Sequence, residues 1–443
     1  VKSQTIHPVL GVGFGPANLS LAVALEERGR AGTAHFIERS AGFQWQREQL
    51  LSGADIQNNP FRDLAMPRNP ASPHTFVKYL ASRGSLTDYL HLNAKFPLRR
   101  EYADYLTWVA DAFREQVDYG RSAVGLSLVQ GDDGGEVFRV ETDDGDAYLG
   151  RTLSLGTGRS PRVPPAFHRC LGPRVFHSTR YLSSIEQLGD RPLRVAVVGA
   201  SQSAIEIILD LLARPQVQQV IPIHRSIGFR LKDTSPYSRR VFLPEFVDYF
   251  HPLSSAKKRK LRGELRSINY AACDQDVIDR LAGVQREYEL TGSHRLLMKP
   301  FSEVVLSRQQ GQTRQLVLRD VNHLSEESID VDAVILATGF RDFGSEQGDE
   351  PYHPLLEGIA HRLPLDEEGV PVVSRDYSIE LKSQADSPQP LRVYLNGLCE
   401  ASHGMGDAGA LAMLSVRATD IADSLQKNQT GEREELLTSG TSP

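Results

Sequence analysis

The chain predicts an α/β fold with two Rossmann-like dinucleotide-binding domains and a small helical substrate-binding segment set within the second. Three observations carry this expectation. A short apolar run ends in Gly11-Val12-Gly13-Phe14-Gly15-Pro16 and leads into a helix-like stretch. A second run, Leu193 to Val198, ends in Gly199-Ala200-Ser201-Gln202-Ser203-Ala204 and does the same. The length, 443 residues, gives room for two to three domains. One glycine turn of this kind is a weak signal. Two in one chain imply two bound dinucleotides, and such a pair commonly passes electrons between a flavin and a nicotinamide.

The elements follow in order. Val9 and Leu10 form a strand signal before Gly11, with Pro8 tolerated at its start. Gly11 is expected to permit the tight turn and Gly13 to let backbone approach a pyrophosphate. Pro16 stands where the simplest motif has its third glycine, and Ala17 follows. From Asn18 to Arg28 the apolar positions recur at helical spacing, so a helix N-terminus faces the phosphates. His35-Phe36-Ile37 then ends at Glu38, a carboxylate placed to bind ribose hydroxyls. In the second unit Ser201 replaces an ideal glycine, Gln202 and Ser203 open the helix, and Val220 to His224 makes the next strand. That strand ends at Arg225 rather than an acid, which favours the 2′-phosphate of NADP over NAD, and Arg230 and Lys232 extend the positive region. Gly156-Thr157-Gly158 and Thr338-Gly339 read as crossings between the two domains.

Composition narrows the function class. Net charge is −6, which gives no reason to expect nucleic acid or an anionic membrane as partner. No apolar run approaches the ~18 residues of a membrane span. The first residues lack the apolar core of a signal peptide, and Cys170, Cys273 and Cys399 form no CxxC pair. A cytoplasmic location is expected, and a disulfide-reducing flavoenzyme is disfavoured. No metal site is expected. The basic run from Lys257 to Arg262 reads as a solvated helix face or oligomer contact, and the tail after Ser424 as polar and frayed. The expected domains are 1–190 with 341–443 for the flavin, 191–232 with 290–340 for the nicotinamide, and a helical substrate segment at 233–289.

Several longer strings are more specific than the glycine turns: Arg68 to Leu80, Asp233-Thr234-Ser235-Pro236, Ile268-Asn269-Tyr270, Ala337 to Phe340, and Gly397 to Gly404. With these the chain resembles the N-hydroxylating flavin monooxygenases, the L-ornithine and L-lysine N-monooxygenases of siderophore biosynthesis. The resemblance implies FAD in the first site, NADPH in the second and O2 as co-substrate. It implies that a neutral primary amine attacks a flavin C4a-hydroperoxide and becomes a hydroxylamine. It makes Gln57 a catalytic glutamine beside the flavin and Asn269 a catalytic, substrate-binding asparagine near the nicotinamide ribose. Trp45, Asp407 and Leu411 join the expected cofactor contacts, and a homodimer or homotetramer is implied.

Departures from the family fall on the substrate side. Arg62 stands where the family has a lysine for the amino acid's carboxylate. Arg239 and Arg240 stand where it has Asn-Glu, and that asparagine binds substrate. These three arginines, one in the loop after the flavin site and two in the substrate loop, lead to the expectation of an amine more anionic than ornithine or lysine: a phosphonate, a phosphorylated or nucleotide-linked amine, or an acidic amino acid. The alternative is an L-ornithine or L-lysine N-monooxygenase. An inert dinucleotide-binding regulatory protein is the alternative of another class.

Overall fold

A computed structural model describes residues 5–92, 94–132, 134–382 and 390–439. In chain order its strands are β1 (Ile6–Val12), β2 (Ala34–Glu38), β3 (Val117–Tyr119), β4 (Ala123–Gln130), β5 (Glu136–Thr142), β6 (Ala147–Leu155), β7 (Val175–His177), β8 (Leu193–Val198), β9 (Val217–Ile223), β10 (Ser302–Gln310), β11 (Thr313–Asp320), β12 (Glu326–Val331), β13 (Ala333–Leu336), β14 (Ser378–Glu380) and β15 (Arg392–Leu395).

The first sheet runs β14-β15-β6-β1-β2-β3. Its centre is parallel, and β1 is paired on both sides, so its turn is held at the carboxyl end of a buried strand. One edge of β6 is shared. Its first half pairs antiparallel with β5, and its second half pairs parallel with β15. The second sheet, β7-β13-β8-β9, is wholly parallel. Its strands are mostly apolar, interrupted by Arg194 in β8 and Gln218-Gln219 in β9, because helices or a third sheet cover both faces. The helix Gln202–Ala213 packs on one face. The antiparallel meander β10-β11-β12 covers the other through Leu316, Leu318 and Val331.

Both crossings expected from the glycine strings are present. The chain leaves the first sheet after β6 and returns to it after β13, and the two linkers lie side by side. Arg162 N donates to Gly339 O at 2.9 Å, and Pro161 bridges Phe340.

The expected domain limits shift. The first unit gives way to the second near the Gly158 linker rather than at residue 190. The reason is that β7 pairs with β13, and Phe176, Tyr181 and Ile185 bury against the second sheet's core. The segment 233–289 is helical, with Ser238–Phe242, Pro244–Phe250, Ser255–Glu264 and Gln275–Thr291. Its last helix sends Leu281 into that same core, so this helix packs with the second sheet. The tail expected to fray after Ser424 is instead, as far as residue 439, part of the helix Leu414–Ser439, and the rest lies outside the described residues. The three cysteines are free thiols, and no helix among the described residues is long and apolar enough to cross a membrane.

Candidate functional site

A single cavity of about 2570 Å³ runs between the two sheets and touches both glycine turns. Pockets for one small ligand occupy roughly 300–1,000 Å³, so this one has room for two dinucleotides and a substrate.

At the first turn the work of the two glycines divides differently from the sequence expectation. Gly13 has the positive φ, +80°, and a Cβ there would lie 2.8 Å from Gly156 O. Gly11 lies within β1 and does not line the cavity. Its hydrogen makes room for the Phe36 ring, so its role is packing rather than the turn itself. Pro16 is the first residue of the helix Pro16–Glu26, where its fixed φ fits and its missing N–H costs nothing. Gly15 caps that helix without a side chain, which leaves amide donors facing the cavity with Gly15, Pro16 and Ala17 in its wall. Glu38 accepts from Phe14 N at 2.8 Å and Ser40 N at 2.9 Å, which fixes its carboxylate at the cavity edge. Trp45 lines the cavity and also packs edge-on against Tyr102.

Asn18 was not singled out from the sequence, yet it anchors this turn. Its Nδ2 donates to Gly13 O at 2.7 Å, and its Oδ1 accepts from Ser154 Oγ and Asn396 Nδ2. Asn396 Oδ1 in turn accepts from Arg417 Nε, and Arg417 pairs with Asp407 at 2.8 Å with both side chains 2% exposed. The Asp407 carboxylate also accepts from Cys399 N. Asp407 and Leu411 line the cavity, but the Asp407 carboxylate is committed to Arg417.

At the second turn Gly199 has φ +141°, and a Cβ there would strike Ala337 O. Ser201 caps the helix Gln202–Ala213 with no side-chain hydrogen bond, which leaves its hydroxyl available. Gly199, Ser201, Gln202, Ser203, exposed Arg225, Thr338 and Gly339 all line the cavity. Arg230 does too, whereas Lys232 lies elsewhere than expected: its Nζ is 3.3 Å from Gln57 Oε1, in the middle of the cavity. Burial, with the Arg239 charge among the further causes, lowers the Lys232 pKa.

The middle of the cavity holds three buried donors without a protein acceptor: Arg62 Nη1, Gln57 Nε2 and Asn269 Nδ2. Gln57 sits at φ +52°, a conformation rare for a residue with a side chain. Its backbone N donates to Asp55, whose own pKa burial pushes up to about 6. Asp63 receives Ala65 N, Met66 N and Phe76 N, which ties down the loop that presents Arg62. Burial, and then the Arg239 charge, lowers the Arg62 pKa. Among the described residues neither Arg62 nor Arg239 has a carboxylate partner.

Arg240 does not join them. It is exposed and outside the cavity wall. Ser238–Phe242 is a 3₁₀ helix, in which neighbours point about 120° apart, so Arg239 faces inward and Arg240 outward.

A cluster of charge that the sequence reading missed completes the wall. Arg159 pairs with Asp342 at 2.7 Å, and Arg262 reaches the same carboxylate at 2.6 Å. Tyr270 Oη donates to Glu400, and burial pushes the Glu400 pKa up to about 7 against the opposing pull of Arg159. These five residues come from five separate segments, so no local motif could have shown them.

The fold and this site define a two-dinucleotide flavoprotein with a donor-lined substrate chamber between its cofactor turns. Comparison with known proteins places it further. The L-lysine 6-monooxygenase/L-ornithine 5-monooxygenase family matches residues 5–342. L-ornithine N(5)-monooxygenase of Burkholderia cepacia is 35% identical, covering 100% of this chain and 99% of its own. The reduced ornithine hydroxylase of Pseudomonas aeruginosa superposes with a TM-score of 0.86 at 31% identity, over 96% of this chain and 100% of that one. The Kutzneria sp. 744 ornithine N-hydroxylase, solved with reduced FAD, NADP+ and L-ornithine, gives 0.86 at 31% identity over the same shares.

The chain belongs to the L-lysine 6-monooxygenase/L-ornithine 5-monooxygenase family. It is an NADPH-dependent flavin N-monooxygenase that uses FAD, NADPH and O2.

Proposed function

We propose that the chain N-hydroxylates the side-chain amine of a basic amino acid of the ornithine or lysine type. The observation that carries this is the set of unsatisfied donors on Arg62, Gln57 and Asn269 in one chamber. A buried donor left unpaired costs about 1–3 kcal/mol, so such a set is built for acceptors that arrive with ligands. Arg62 and Asn269 bind the substrate, and the Arg62 guanidinium fork suits an α-carboxylate. Gln57, strained and held by Asp55, presents its amide to the flavin. The second turn, with Arg225 at its strand end, receives NADPH. The reduced flavin, when bound, activates O2 and supplies one oxygen atom. The protein's part is to hold the amine in line, exclude water and manage the amine's proton.

The expectation of a more anionic amine is the second reading, and family membership favours the basic amino acid over it. One observation keeps it testable: Arg239 adds a second unpaired cation beside Arg62. Hydroxylamine formation with L-ornithine, L-lysine, L-aspartate and an ω-aminoalkylphosphonate separates the readings. Turnover of ornithine or lysine, little changed by Arg239→Ala, supports the first. Turnover confined to the acidic amines, and lost in that variant, supports the second. Absence of hydroxylamine from every amine, with FAD and NADPH bound, would leave an inert binder.

A further inference from the structure

Glu400 has no part in either glycine turn or in the donor set around Arg62, yet it lines the same chamber with its side chain only 2% exposed. Four segments bring charge or a hydroxyl to it. Arg159 comes from the linker after β6, Asp342 from the linker after β13, Arg262 from the helix Ser255–Glu264, and Tyr270 from the loop beyond that helix. Arg159 lies 3.6 Å from Glu400 and 2.7 Å from Asp342, and Arg262 lies 2.6 Å from Asp342. Two guanidiniums thus face two carboxylates. The helix Pro244–Phe250 also packs on the Glu400 helix, but its Asp248 is paired with Arg375, and Arg259 of the neighbouring helix is paired with Glu368. His403, on the same short helix as Glu400, is held neutral by burial.

Tyr270 connects this carboxylate to the substrate chamber. A phenol has one proton and two acceptor lone pairs. The proton is given to Glu400, and one lone pair accepts from Arg159 Nη2 at 3.1 Å. One lone pair is left, on a side chain that lines the cavity next to Asn269. The two neighbours converge on one point: a Cβ on Gly409 would meet Tyr270 Oη and lie 2.7 Å from Asn269 Nδ2.

Oxygen transfer to nitrogen needs a nitrogen lone pair. An alkylammonium has a pKa near 10.4, so at neutral pH only about one amine in 2,500 is free base. The enzyme therefore needs a proton acceptor within reach of the amine. We propose that Glu400, reached through the Tyr270 hydroxyl, takes the proton from the substrate ammonium before oxygen transfer. The ammonium N–H bond breaks and its electron pair stays on nitrogen. That proton joins the Tyr270 oxygen while the Tyr270 proton passes to Glu400. The result is a free amine, an unchanged phenol and a neutral carboxylic acid. Burial holds Glu400 near neutrality, so it can both take and return a proton. This inference rests on the N-hydroxylation reading.

The test uses Glu400→Gln and Tyr270→Phe in the FAD-loaded enzyme. Each is expected to lower the hydroxylamine kcat about 100-fold while NADPH oxidation continues and yields H2O2. The acid limb of the wild-type pH profile should disappear in Glu400→Gln. An amine analogue made more acidic by fluorine should recover much of the loss, which a merely structural defect would not allow. Infrared titration of the oxidised flavoprotein gives a readout independent of turnover: a carboxyl band should titrate near neutrality and be missing from Glu400→Gln. If that variant does not fold, Tyr270→Phe leaves every charge in place and carries the kinetic test. Wild-type rate with an intact acid limb in Glu400→Gln, or no rescue by the acidic amine, overturns the proposal. A wild type that makes no hydroxylamine from any amine overturns the N-hydroxylation reading as well.

Discussion

Arg62 and Gln57 are single residues at which the proposed ligand contacts can be tested. Arg62 carries an unpaired Nη1 in a chamber wall, and the Asp63 hydrogen bonds keep its loop from collapsing to satisfy it. Arg62→Met should raise KM for the amino acid roughly 10- to 100-fold, the worth of a charged hydrogen bond of about 1.5–3 kcal/mol, and leave KM for NADPH unchanged. Steady-state kinetics with each substrate varied in turn checks this, and an equal rise in both constants would argue against it. Gln57 holds a left-handed backbone at φ +52°. Gln57→Gly removes that strain along with the amide, so the variant should melt no lower than wild type while its hydroxylamine yield falls. A large drop in melting temperature would mean that the side chain serves the fold instead.

At the level of elements, the turns were readable because each is local. Strand, glycine, helix and acid follow one another between Val9 and Glu38, and their physical reasons lie within a few residues. The second turn makes a sharp prediction. Gly199 is pressed against Ala337 O at φ +141°, so Gly199→Ala must move either the turn or β13. NADPH binding should weaken while flavin content stays at the wild-type level. Loss of both would show that the two units do not respond separately. What the sequence hid at this scale is non-local. The three-residue strand β7 carries little signal alone, and it joins the second sheet only because β13 arrives beside it. Arg239 and Arg240 look equivalent as a pair of cations, and only the 3₁₀ geometry separates them. The Asp407–Arg417–Asn396–Asn18 chain and the Glu400 cluster depend on side chains hundreds of residues apart, which spacing cannot reveal.

For the whole molecule, buried acids set a pH dependence. Asp55 is raised to about 6 and Glu400 to about 7, both chiefly by burial. A carboxyl that binds its proton more tightly when folded stabilises the fold fully below its ordinary pKa, near 4. That contribution is lost as pH rises through the folded value. Asp55→Asn should therefore gain stability relative to wild type as pH climbs from 5 to 8. Paired melting curves across that range measure it, and a gap that shrinks with rising pH would contradict the sign.

The buried chain from Asp407 through Arg417 and Asn396 to Asn18 also orders events in time. Asn18 depends on partners that leave the ribosome hundreds of residues after it. The first sheet lacks β15 and the clasp on its glycine turn until the final helix is made. The second sheet and its covering meander are complete once residue 336 is out. Synthesis therefore delivers a finished second unit inside an unfinished first one. Arrested nascent chains ending near residue 390 should protect the second unit from protease and retain no flavin, and colour should appear only in chains long enough to have released the Asp407–Arg417 segment.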